Sequence, residues 1–354
     1  MSANVRAMAN GAPILTQREL NRALLARQLL LEREQLPIPR ALERMGFLQA
    51  QYAPAMYVGL WSRVADLQRD EVTRQLEQRD IVQATLLRAT IHLVSRSDYW
   101  PTALAIRSAR RTWWLRSARD VVTDREMTRL AEVVRRECRA GTLHRRDLDR
   151  IAGSSTLRNA LMAWLDLVRV PPSGTWERRS ADLFALAEEW VGPEEGSAAE
   201  GVQLLVRRYL GGFGPSSPAE IANWAGLGVR DLQPAIDTLD LVRYRAEDGT
   251  ELLDLPEAPL PEPDVQVRVR LLPHWDATLL VHARRTQILP EEHRPTIFNS
   301  RRPHSYATFL VDGQVAGTWQ YSDGEVQLSP FTRLSPAVQR ELDGEAARMA
   351  DFHR

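Results

Sequence analysis

Two glutamines separated by one residue, in the segment Gln49-Ala50-Gln51, form the most informative polar pattern of the chain. Pro54 follows shortly and disfavours helical geometry at the residue before it, which predicts that a helix ends here and the stretch is extended or a loop. In an extended chain Gln49 and Gln51 share a face. Two converging amides can hold a water or stabilise a developing positive charge, but they are poor proton acceptors. Taken alone, the pattern is more typical of a polar helix terminus.

A second cluster lies in a predicted strand that runs from Arg88 through Thr90 to His92. Alternation along a strand would place these three side chains on one face. A cation, a hydroxyl and an imidazole in line could contact a phosphate. A single histidine in a strand is more often structural, so this pattern also has a purely structural interpretation.

The chain lacks the residues that several classes of reaction require. The only cysteine is Cys138, and all 46 Lys and Arg residues are arginine, so no lysine can form a Schiff base. The histidines at 274, 282, 293 and 304 lack metal-ligand spacing. No phosphate-binding glycine loop or convincing acid pair is recognisable. We therefore expect no metal and no cofactor.

Composition predicts a folded, non-membrane protein. The chain has 354 residues, of which 44% are hydrophobic, and it contains no apolar run long enough to span a bilayer. The polar segment before Leu15 does not resemble a signal peptide, so we expect a cytoplasmic, nucleoid-associated monomer. The formal net charge is zero, which gives no sign of nucleic-acid binding. Residues 88–150 nevertheless carry fifteen arginines and eight carboxylates, so a basic surface is compatible with the sequence.

One order of elements, helices followed by a short hairpin, recurs about three times. The clearest copy has Ser217, Pro218 and Glu220 as a helix start and a hairpin that turns at Asp248-Gly249. Helices followed by a hairpin are typical of the winged helix, which places its third helix in a DNA groove. The earlier hairpins are predicted at 81–94 and at 168–177.

The predicted fold class is α+β, with three tandem winged-helix motifs followed by a C-terminal β-barrel. The predicted boundaries are a flexible N-terminus at 1–14, winged helices at 15–120, 121–197 and 198–256, and the barrel at 257–354. The alternating pattern after Val265, with turns at Asp312-Gly313 and Asp323-Gly324, predicts a small β-barrel or a sheet in this last unit.

Four segments together resemble the AlkZ/YcaQ winged-helix DNA glycosylases over nearly the whole chain. They are Gln49-Ala50-Gln51, the run from Leu87 to Val94, the run from Ile288 to Arg294 and the run from Val315 to Trp319. The resemblance implies a protein that encloses double-stranded DNA and excises N7-alkylated purines, with bulky or crosslinked adducts as substrates of some members.

The resemblance also assigns roles to residues. It implies that Gln49 and Gln51 are the catalytic pair, in the branch of the family that has glutamine at both positions. The DNA-contacting residues expected are Arg88, Thr90, His92, His293, Arg294, Asp312, Gly313 and Gln314. With no lysine available, the expected enzyme is monofunctional and leaves an abasic site. The hairpin that turns at Asp312-Gly313 is expected to probe the DNA groove.

Two other functions are compatible with the same modules. A winged-helix transcriptional regulator would bind specific sequences irrespective of alkylation. A protein-interaction scaffold, favoured by the neutral net charge, would show no salt-dependent DNA binding.

Overall fold

The computed structural model describes residues 11–139, 141–280, 286–298 and 305–354. Its helices are α1 Gln17–Arg27, α2 Ile38–Met45, α3 Ala53–Trp61, α4 Arg69–Glu77, α5 Arg96–Ser117, α6 Asp124–Cys138, α7 Arg145–Ala152, α8 Ser155–Leu161, α9 Ala187–Trp190, α10 Ala198–Phe213, α11 Pro218–Ala225, α12 Val229–Thr238, α13 Ala277–Leu280, α14 Arg294–Ile297 and α15 Pro336–His353. Its strands are β1 Ile14–Leu15, β2 Leu48–Gln49, β3 Ile81–Thr85, β4 Ile91–Ser95, β5 Leu143–His144, β6 Leu167–Arg169, β7 Leu183–Leu186, β8 Val242–Ala246, β9 Glu251–Asp254, β10 Arg270–Leu272, β11 Thr308–Val311, β12 Gln314–Ser322 and β13 Glu325–Pro330. The predicted α+β class is confirmed.

The strands of the first two predicted modules share one six-stranded sheet, in the order β2-β4-β3-β6-β7-β5. The predicted hairpin at 81–94 is confirmed as β3 and β4. Its first strand also pairs with β6, through Gln83 opposite Arg169 and Ala84 opposite Val168. The two modules are therefore joined by backbone hydrogen bonds rather than by side-chain packing alone.

The hairpin predicted at 168–177 is wrong. β6 ends at Arg169, and the partner strand β7 begins only at Leu183. The intervening loop is folded around Ser173, whose hydroxyl accepts hydrogen bonds from the backbone N–H groups of Asp182 at 2.6 Å and Leu183 at 3.0 Å. The turn residues at 171–174 therefore begin a longer loop instead of closing a tight hairpin.

The third predicted copy has the expected elements. Helix α11 begins at Pro218, and the Ser217 hydroxyl accepts a hydrogen bond from the backbone of Glu220 at 3.3 Å. The predicted hairpin is β8 paired with β9. A short N-terminal strand adds to this hairpin, because Ile14 and Leu15 pair in parallel with Arg245 and Ala246. Ile14 belongs to the stretch expected to be flexible, of which residues 1–10 lie outside the described residues.

The C-terminal strands form a four-stranded antiparallel sheet in the order β10-β11-β12-β13, and α15 packs against it. Both predicted turns, Asp312-Gly313 and Asp323-Gly324, join its strands. Within the described ranges β10 and β13 do not pair with each other, so these strands form an open sheet, one of the two expected arrangements, and not a closed barrel. Four strands are too few to enclose a filled barrel interior, for which about eight are typical.

A buried ion pair ties the N-terminal half of the chain to the C-terminal sheet. Arg63 and Asp276 are both fully buried, and two hydrogen bonds of 2.8 and 2.9 Å join the guanidinium to the carboxylate. Asp276 also accepts hydrogen bonds from the backbone and hydroxyl of Thr278. Among the residues covered, no helix is long and apolar enough to cross a membrane.

Candidate active site

The glutamine segment follows a sharp turn out of α2. Gly46 ends that helix with φ +72°, and Phe47 continues with φ +74°, so two left-handed residues turn the chain into β2. A Cβ at position 46 would lie 2.7 Å from the backbone oxygen of Arg208, which leaves room for glycine only. The predicted extended stretch is confirmed by β2, but Pro54 is not what ends the preceding helix. Pro54 instead lies in the first turn of α3, where a missing N–H is tolerated.

Strand β4 holds both glutamines at the edge of the six-stranded sheet. Gln49 lies opposite His92 in the strand register. The backbone N–H of Ile91 donates to Oε1 of Gln51 at 3.3 Å. Neither the Gln51 NH₂ group nor the Gln49 side chain makes a hydrogen bond with any described residue. Gln49 is half-buried and Gln51 is exposed, so both amides keep donors and acceptors that no described residue uses.

A cavity of about 630 Å³ adjoins Gln51. Aromatic rings form half of its described lining and come from Tyr52, His274, Trp275, Tyr306 and Trp319. Its floor is fixed by polar contacts: Ser305 accepts a hydrogen bond from the backbone of Trp275 at 2.7 Å, and the Trp319 indole donates to Leu272 O at 2.9 Å. The size and the aromatic lining suit a planar, extended ligand.

His92 is buried, and it does not face solvent with Arg88 as expected. Its Nδ1 lies 3.1 Å from the backbone oxygen of Thr90, which identifies that nitrogen as the donor. Burial, with a contribution from the charge of Arg88, lowers the pKa of His92 to about 3, although the Thr90 hydrogen bond opposes the shift. The imidazole is therefore neutral at physiological pH.

The strand face predicted for Arg88, Thr90 and His92 is wrong, because Arg88 lies in a 3₁₀ turn at Leu87–Ala89 with φ +50°. Its guanidinium reaches the third predicted module and donates to Trp224 O at 3.4 Å. The Thr90 hydroxyl donates to Leu87 O at 3.0 Å, which closes the turn. These three residues shape the connection next to the glutamines.

The remaining predicted DNA contacts lie in the C-terminal part. His293 ends a 3₁₀ turn, and its ring lies against Phe331 with 4.2 Å between centroids. Arg294 pairs with Glu291 at 3.1 Å, and Gln314 begins β12 with an exposed side chain. None of these side chains contacts the glutamine pair within the described ranges.

The turn at Asp312-Gly313 is held against α1 and does not project freely. Asp312 forms ion pairs with Arg18 at 3.0 Å and with the buried Arg22. The side-chain amide of Asn21 donates to Gly313 O at 2.8 Å. A groove-probing role for this hairpin would require these contacts to open.

Sequence reasoning missed most of the cavity wall, because its residues come from distant parts of the chain. Trp319 ends one of the motifs singled out, whereas His274 and Trp275 follow β10 without any recognisable motif. No group of three or more His, Cys, Asp or Glu residues suited to a metal occurs in the described part of the chain. His282 and His304, two of the four histidines that lack metal-ligand spacing, lie outside the described residues.

Comparisons with known proteins agree along almost the whole chain. The family model described as DNA glycosylase AlkZ-like matches residues 42–352. The interstrand DNA cross-link repair glycosylase of Streptomyces sahachiroi is 24% identical over 357 residues, which cover 92% of this chain and 93% of that protein. The solved structure of the S. sahachiroi DNA glycosylase AlkZ has a TM-score of 0.81 at 21% identity, and the match covers 96% of this chain and 97% of that one. The structural similarity shows that the two chains share a fold.

Proposed function

Because the chain belongs to the AlkZ-like DNA glycosylase family, we propose that it hydrolyses the N-glycosidic bond of N7-alkylated purines in double-stranded DNA. The observation that carries the proposal is the pair of glutamines at a sheet edge, of which Gln51 borders the cavity lined by aromatic rings. Bulky or crosslinked adducts are included, since the cross-link repair activity named for the S. sahachiroi relative fits a cavity of this size.

Hydrolysis of the N-glycosidic bond of an N7-alkylated purine needs little catalytic assistance from the protein. Alkylation at N7 places a positive charge on the purine, so the base leaves as a neutral molecule when its bond to C1′ breaks. The sugar then carries oxocarbenium character, which the amide oxygens of Gln49 and Gln51 stabilise. A water held by the same amides adds to C1′, and its proton passes to solvent. Positioning and electrostatic stabilisation are sufficient, and no strong base is required.

The hydrogen bond from Ile91 orients Gln51 for this role. It fixes Oε1 towards the strand and leaves a second lone pair and the NH₂ group for the substrate. The aromatic cavity next to Gln51 receives the modified base or its substituent. With no lysine in the chain, the enzyme is monofunctional and its product is an abasic site.

Binding of the duplex is assigned to the modules predicted from the sequence. We propose that 15–120, 121–197 and 198–256 act as winged-helix units, with 257–354 as the C-terminal unit. The remaining predicted contacts, Arg88, Thr90, His92, His293, Arg294 and 312–314, line or support the duplex path. The protein acts as a monomer in the cytoplasm, in association with the nucleoid.

The test is release of 7-methylguanine from a methylated duplex. Wild type should release the base, and Gln49→Ala/Gln51→Ala should be slower by at least about 10²-fold, the usual cost of removing stabilising groups of this kind. Gln51→Leu preserves volume but removes the amide, and it should be similarly impaired. Gln78→Ala, which alters an exposed glutamine on the surface, is the matched control and should retain full activity.

Two outcomes would contradict the proposal. Equal release by wild type and the double variant would remove the glutamines from the mechanism. No release of either 7-methylguanine or a bulky N7 adduct, with DNA binding that ignores alkylation, would favour a winged-helix regulator instead.

A further inference from the structure

A second cavity, of about 310 Å³, lies on the sheet between β6 and α8 and is lined by cationic groups. Its walls include Arg145, Arg158, Asn159, Arg169 and Trp114. Ile91, whose backbone holds Gln51, forms part of the same wall. The cavity is therefore close to the glutamine pair but distinct from the aromatic cavity.

Arg169 is the most unusual group in this cavity. Its guanidinium lies over the Phe184 ring, 5.2 Å from the centroid. Its Nε and Nη1 atoms are sealed from solvent and have no hydrogen-bond partner among the described residues. No carboxylate of the described chain pairs with it. Arg169 as a whole is half-buried, and a fold retains an unpaired cation that is partly removed from water only where something else offsets its desolvation.

The neighbouring arginines do not relieve this charge. Arg110 donates to the backbone oxygens of Thr85 at 3.0 Å and Met162 at 2.7 Å. These uncharged oxygens solvate the Arg110 guanidinium but do not neutralise its charge. Burial, with Arg110 and Arg145 nearby, lowers the pKa of Arg169 to about 10, so it stays charged at neutral pH. The cavity therefore keeps a positive charge that its own walls do not cancel.

Carboxylates near the cavity are already engaged. Asp149 pairs with Arg158 and lies 3.9 Å from Arg145 at the rim. Asp166 attracts Arg110 at longer range, but it is paired with Arg107 at 2.9 Å. An excess of positive charge remains.

The polar groups that remain are donors. The Trp114 indole N–H is buried without a partner in the described part of the chain, like the two Arg169 atoms. The Asn159 amide at the rim can add another donor. A phosphate oxygen accepts hydrogen bonds only, and a guanidinium matches its geometry with two parallel donors.

We propose that this cavity binds a phosphodiester group of the DNA strand that carries the modified base, with Arg169 as its principal ligand. The inference rests on the proposed action on DNA and adds the point at which the backbone is anchored. Because Ile91 borders the cavity and orients Gln51, anchoring a phosphate here sets the position of the sugar relative to the amides.

The test is the salt dependence of binding to a methylated duplex. Each phosphate contact contributes about 0.9 to the slope of log K against log salt. The affinity of Arg169→Gln should therefore fall about 3.5-fold less than that of wild type between about 50 and 200 mM salt. Arg169→Lys keeps the charge and should keep the slope. Arg340→Gln, an exposed arginine on α15, is the matched control and should leave the slope unchanged.

Stability supplies an independent readout. Removing an unpaired, partly buried charge should raise the melting temperature of the DNA-free protein, whereas loss of a structural arginine would lower it. Inorganic phosphate, as a probe, should stabilise wild type and have no effect on Arg169→Gln.

Three outcomes would overturn the proposal in different ways. If Arg169→Gln has the wild-type slope while wild type binds DNA and releases base, the anchor is wrong and the proposed function stands. If phosphate stabilises wild type and the slope is still unchanged, the cavity takes free phosphate and the assignment to DNA is overturned. If wild type binds no duplex, both proposals fail.

Discussion

Replacing Asp276 with asparagine should destabilise the protein strongly, although the two side chains have nearly the same shape. The carboxylate accepts two hydrogen bonds from Arg63, at 2.8 and 2.9 Å, and two from Thr278, at 2.7 and 3.0 Å. The asparagine side chain would direct an NH₂ group at one of these donors and leave Arg63 charged and fully buried. Breaking a buried pair in this way costs about 3–5 kcal/mol.

Urea denaturation of wild type and Asp276→Asn measures this cost. Asp323→Asn, in an exposed turn, is the matched control and should change the free energy of unfolding by less than about 0.5 kcal/mol. Arg63→Met/Asp276→Leu removes both charges and should recover most of the loss, because replacing a whole buried pair is often nearly neutral. A loss below about 1 kcal/mol for Asp276→Asn, or a double variant less stable than the single one, would refute the reasoning.

Three further predictions concern stability and reactivity. Gly313 and Gly324 both have positive φ, but a Cβ at 313 would lie 2.5 Å from Leu25 whereas one at 324 meets nothing within 4 Å; Gly313→Ala should lower the melting temperature more than Gly324→Ala, and equal losses would contradict this. Because the pKa of His92 is lowered from 6.5 to about 3, its contribution to the free energy of unfolding is complete above about pH 6.5 and falls by up to about 1.4 kcal/mol per pH unit below that pH. Urea titrations at several pH values should show that His92→Asn removes this part of the dependence of stability on pH. An identical pH dependence in wild type and variant would contradict the prediction. Burial raises the pKa of Cys138 to about 12, so a disulfide reagent should label it only after denaturation, and rapid labelling of the native protein would be inconsistent with the structure.

Local signals in the sequence are sufficient for elements that depend on neighbours in the chain. The cap at Ser217 and the turn at Asp248-Gly249 both have side chains that accept a hydrogen bond from the backbone within a few residues. The role predicted for Pro54 is wrong because proline is compatible with two positions. It occurs just after the end of one helix and in the first turn of the next, and the sequence alone does not separate the two.

The features that the sequence does not predict depend on contacts between distant parts of the chain. The return strand of β6 is β7, and its distance along the chain depends on how Ser173 folds the intervening loop, not on the turn residues at 171–174. The aromatic cavity combines Tyr52 with His274 and Trp319, which only the tertiary fold brings together. For the candidate site, the glutamine pair is recognisable by motif, whereas the uncompensated charge of Arg169 is visible only in three dimensions.

The pairing of β3 with β6 makes residues 15–120 unsuitable as a separate fragment. A cut at residue 120 would uncover the edge of β3 at Gln83 and Ala84, which now pairs with β6. An unprotected edge of this kind recruits other strands and promotes aggregation. Residues 15–120 are therefore not expected to form a soluble fragment without β6.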